Sequence, residues 1–161
     1  MATTKSADDE TALAEGMWRA TDLLQAYLSE DPVRVLAGLE GLNVEQLTHT
    51  LGWQIVDHDI LFEDLGEPSM SASLLDQVAA LAPLECEFMM TTAVRRAVAA
   101  GTGLIAGGLD EFPLDAQIHA LTVLVAVMLL RAHGRDEALR FVAASAADFV
   151  RRGHPRPYPA P

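Results

Sequence analysis

Five histidines, one cysteine and a set of carboxylates are the residues of this chain that could do chemistry. Asp115 and His119 stand four apart, which on a helix puts them on one face, where the carboxylate could orient the imidazole. Such a pair serves a general base or a metal ligand, and equally an ordinary first-turn ion pair. His58 is the third candidate. Asp57 and Asp59 flank it, but adjacent helical residues point in different directions, so this run is not a site by spacing. His49 and His58 are nine residues apart, on opposite sides of a helix, and cannot share one metal. Cys86 opens an apolar stripe with Met89, Met90, Ala93, Ala97 and Ala100, and reads as a core thiol.

Recognisable metal and nucleotide motifs are missing. The residues three before His49, His58, His119, His133 and His154 are Gln46, Ile55, Ala116, Leu130 and Arg151, so no Glu-x-x-His ligand pair exists. No His-Glu-x-x-His or calcium loop occurs, and the glycine-rich run GTGLIAGG lacks the Gly-Lys-Ser/Thr of a phosphate loop. Neither a metal nor a cofactor is expected. A single cysteine excludes an internal disulfide framework.

Charge is distributed unevenly. The net charge is −12. Up to Glu67 there are 14 acids and three bases, a net of −11, whereas Arg131 to Pro161 carries six arginines against three acids, a net of +3. An acidic chain is repelled by nucleic-acid backbones and anionic membranes, so neither is an expected partner. Solubility is the plain reading of the acidity. The first twelve residues hold Asp8, Asp9 and Glu10 where a secretory signal has its apolar core, and a cytoplasmic location follows as the default. Ten Arg against one Lys, with abundant Ala, matches a GC-rich bacterial genome.

Helices must position these residues, since apolar positions recur at helical spacing and nowhere alternate with period two. The spacing predicts helices over Asp8–Ser29, Pro32–Glu40, Val44–Leu65, a segment from Ser71 or Ser73 through Leu81, a segment to Ala100 that Pro83 either kinks or starts, Pro113–His133 and Arg135–Arg152. Asn43 with Gln46 forms a box-like start for the third, and Gly41, Gly66, Gly101, Gly134 and Gly153 supply stops. The expected fold is a single all-α domain over 1–153, a bundle or orthogonal array of six to seven helices. Residues 1–7 should be a flexible start, 101–113 a flexible connection, and 154–161 (HPRPYPAP) an extended or disordered Pro-rich tail.

Two helices stand out. Pro113–His133 is apolar nearly all round, apart from Asp115, His119, Thr122 and His133, and should be the central helix. Val44–Leu65 carries two apolar stripes, one around His58 and one with Trp53, Val56 and Ile60, and should be sandwiched between neighbours.

The leading expectation is a non-catalytic, acidic protein–protein interaction module, such as an adaptor, regulator or assembly subunit. Trp18, lying off the apolar face of the first helix, would anchor a basic and apolar partner, with Asp22, Asp57, Glu63 and Asp64 around it. Self-association is a further option. The alternative is a small helical enzyme or ligand-binding protein using Asp115, His119 and His58 in a bundle cavity.

Overall fold

A computed structural model describes residues 3–101 and 108–161, with side chains from Asp8 onward. The expected flexible start lies mostly outside the described side chains, and much of the glycine-rich connection (102–107) lies outside the described residues. Among the described residues the protein is all-helical, without strands. The helices are α1 (Thr3–Leu28), α2 (Pro32–Ala37), α3 (Val44–Asp64), α4 (Ala72–Ala79), α5 (Leu84–Ala100), α6 (Leu114–His133) and α7 (Arg135–Arg151), with one 3-10 turn at Leu109–Glu111. Helix α1 begins before the expected Asp8.

Local chemistry explains the boundaries. Asp31 caps α2, its side chain accepting from the Arg34 amide at 3.1 Å, with Pro32 in the first turn. At α3 the box is complete: Asn43 Oδ1 accepts from Gln46 N at 2.9 Å, and Gln46 Oε1 accepts from Asn43 N at 3.0 Å. Pro83 starts α5 rather than kinking α4, because a proline needs no partner for its missing N–H there. Gly101, at φ 62, closes α5 in the left-handed conformation.

Helix α6 is the centre. Val123, Ala126, Val127 and Leu129 are fully buried, and α1, α3, α4, α5 and α7 all pack against this helix. Its 20 residues are long and apolar enough to cross a bilayer, yet 72% of the most apolar window is buried inside the protein. Helices α1 and α3 pack extensively and approach closely at Gly16. A Cβ on Gly16 would meet the His49 backbone carbonyl carbon at 2.7 Å, so only glycine lets the two backbones approach this far.

The Pro-rich tail is extended as expected but docked, not free. Arg156 donates to Asp22, the Tyr158 hydroxyl donates to the same carboxylate at 2.6 Å, and the Arg19 guanidinium lies 3.9 Å over the Tyr158 ring. Burial, then the Asp22 contact, pushes the Tyr158 hydroxyl well above its ordinary range.

Candidate functional site

The residues expected to carry a function are dispersed by the fold. Trp18 is 3% exposed: its Nε1 donates to the His154 carbonyl at 3.0 Å, Phe149 meets it edge-on at 5.7 Å, and Arg156 stacks 4.5 Å over its ring. The expectation of an exposed Trp18 anchor is therefore corrected. The +3 C-terminal segment folds back and supplies the cover, with two prolines flanking Arg156 to hold it extended. Asp22 is occupied by the same tail, and Glu63 is exposed at the end of α3.

Asp115 and His119 do not form the expected dyad. Asp115 Oδ1 accepts from the Ala116 amide at 2.9 Å, and its Oδ2 faces Cys86 Sγ at 3.8 Å. The His119 Nδ1 instead meets the Tyr27 hydroxyl at 2.7 Å, a partner 92 residues away that no local spacing indicates. Burial holds His119 down at about 4 despite the nearby Asp115 charge, and burial raises the Tyr27 hydroxyl well above its usual range. Burial, with help from Asp115, also pushes the Cys86 thiol up to about 11, which makes it a poor nucleophile. This cluster sits between α1, α5 and α6 as a buried polar contact, and among the described residues no hydrogen bond links it to His58.

His58 does have a carboxylate partner, contrary to the spacing argument. Its Nδ1 lies 2.9 Å from Asp59 Oδ1. Cα directions exclude little for a side chain with two rotatable bonds.

The more open feature is a groove between α3 and α7. Both helices pack on α1 and α6 but scarcely on each other. Thr21 and Leu24 of α1 and Val125 and Leu129 of α6 form its floor. Trp53, Asp57, Ile60, Leu61 and Asp64 line one wall, with Phe141, Val142, Ser145, Asp148 and Phe149 opposite. Its volume is about 400 Å³, and a second cavity of about 400 Å³ continues past Trp53 and Phe149 toward Leu13 and His154. The second apolar stripe of α3 is thus unsandwiched, which corrects the expectation: Val56 is 44% and Ile60 56% exposed. Phe141 on the facing rim is exposed too.

Asp57 is the polar group of the groove. It is half-buried and has no hydrogen-bond or ion-pair partner among the described residues. Burial alone pushes its carboxyl up to about 6. Asp148 differs, since Arg151 at 2.9 Å and Arg152 at 2.6 Å neutralise it. Asp64 is exposed and unpaired among the described residues. Of the five residues expected at a partner surface, the fold therefore brings Asp57 and Asp64 together on one groove. No cluster of three metal-ligating side chains occurs among the described residues. No family model, curated protein or solved structure matches the chain, so what the groove does follows from its own chemistry.

Proposed function

We propose that this chain is a protein-interaction module whose α3/α7 groove receives an amphipathic helix from a basic partner. The carrying observation is Asp57: a carboxylate without a partner, half-buried among apolar side chains. Proteins seldom leave such a group unpaired, because desolvating a charge costs free energy that only a counter-charge offsets. A lysine or arginine on an incoming helix would provide it. The length also suits a helix. Trp53 to Asp64 on α3 rises about 16 Å, or three turns, which matches apolar anchors at i, i+4 and i+7. Ile60 and Phe141 would cover those anchors, and Asp64 would add attraction at the rim.

A 15-residue helical peptide with leucines at i, i+4 and i+7 and one central lysine tests this by fluorescence anisotropy. The controls are a scrambled peptide of equal charge and a peptide with the lysine replaced by norleucine. Micromolar binding is expected, at least tenfold weaker for Asp57→Asn and for the norleucine peptide. Affinity should also fall as pH drops through about 6, where Asp57 takes up its proton and leaves the lysine facing a neutral group. Asp64 of α3 and the arginine-paired Asp148 of α7 are the other charges on the groove, while α1 and α6 contribute none. Equal binding of the scrambled peptide would reduce the acidity to non-specific attraction and overturn the reading. Selective uptake of a small amine instead of the peptide would reassign the groove to a ligand-binding protein.

A further inference from the structure

We infer that the cavity beside His58 is a separate binding site, for a small neutral aromatic molecule carrying one hydrogen-bond donor. It lies on a different face of α3 from the groove and does not depend on the groove's role. Its volume is about 310 Å³, at the small end of ligand pockets. Phe62, Met70, Ala97, Val98 and Leu124 make it mainly apolar. One wall is the strap Glu67–Met70, which α6 holds in place: the Arg131 guanidinium donates to the Ser69 carbonyl and to Ser69 Oγ. The strap leaves α3 through Glu67 at φ 54, a left-handed conformation disfavoured for a side chain with a Cβ, and its amide donates to Phe62 O at 2.8 Å.

His58 supplies the polarity. The residue is 3% exposed, and its ring stacks on Phe62 at 5.7 Å with an interplanar angle of 12°. A carboxylate accepts, so Nδ1 is the donor in the contact with Asp59, and in the neutral imidazole Nε2 is left as an acceptor. That nitrogen has no partner among the described residues, although the ring lines the cavity. Water can reach this atom, and a ligand O–H or N–H would take over that water's hydrogen bond while its body covers the apolar walls. A ligand carbonyl or ether oxygen there would meet a lone pair instead. The His58–Phe62 stack and the apolar walls select a flat aromatic body. Glu67 at the wall and the net charge of −12 select against an anion. Phenols and N–H azoles combine these properties.

Titration of ¹⁵N-labelled protein with 2-naphthol and with 2-methoxynaphthalene, followed by NMR, tests the inference. The two probes share an aromatic body and differ in the donor. Expected are at least tenfold tighter binding of 2-naphthol, a shift of the His58 Nε2 resonance, and amide shifts at Met70, Val98 and Leu124. His58→Phe keeps a stacking ring and should abolish the preference. Asp59 is exposed, so Asp59→Asn should fold normally, and because an amide can donate to Nδ1 as well as accept from it, the variant no longer fixes the tautomer and should shrink the preference several-fold. If His58→Phe fails to fold, Asp59→Asn decides alone. Equal affinities for the two probes, a preference unchanged in either folded variant, or shifts confined to Asp57 and Phe141 would each overturn the site.

Discussion

Asp57→Asn should stabilise the isolated protein at neutral pH. The carboxyl is raised from 3.8 to about 6 by burial, with no compensating partner. A rise of that size corresponds to roughly 3 kcal/mol at most, and water reaching the open groove reduces this to about 1–2 kcal/mol. Because the folded-state value is raised, the folded protein holds the proton more tightly than the unfolded chain. The associated stability is fully present below about pH 4 and is lost as pH rises through about 6. Asparagine cannot ionise and keeps the neutral shape. Urea unfolding of both proteins at pH 4.5, 5.5, 6.5 and 7.5 isolates the effect, since every other titrating group cancels in the difference. The variant's advantage should be small at pH 4.5, grow by about 1–2 kcal/mol, and level off above pH 7. Parallel stability profiles, or a variant less stable at pH 7.5, would refute the claim that Asp57 is ionised there at a cost. A stabilising change that also weakens peptide binding is the signature of a site that trades stability for recognition.

Trp18→Ala should cost about 3–5 kcal/mol in urea unfolding, because the indole is buried against Phe149 and the tail; an unchanged stability would restore Trp18 as a surface anchor. Gly16→Ala should lower the thermal midpoint despite its better helix propensity, with a net loss of about 1–3 kcal/mol from the clash with the His49 backbone; a stabilised variant would show that the α1–α3 crossing is looser than described. Leu124→Ala should cost about 2–5 kcal/mol through lost burial and a cavity in α6, and a loss below about 1 kcal/mol would count against the central place of that helix.

Fold class and element limits were legible in the sequence because they depend on local chemistry. The Asn43–Gln46 box, Asp31 ahead of Pro32 and the stop at Gly101 act within a few residues, and each marks a helix end in the structure. The all-round apolarity of α6 likewise had one physical solution in a folded domain, a place inside. Relations across the chain were not legible. Tyr27 meets His119 across 92 residues, and Arg156 meets Asp22 across 134, so composition near either residue carries no trace of the other. The position of Trp18 off its helix's apolar face was visible, but what covers it depended on a proline-rich tail with no periodicity of its own. The second stripe on α3 was visible too. Whether a neighbour fills it is a matter of how α3 and α7 sit on α1 and α6, and the gap they leave is what turns Asp57 from one acid among 23 into an unpaired, desolvated carboxylate. Desolvation is a property of the surrounding packing, and packing exists only in three dimensions.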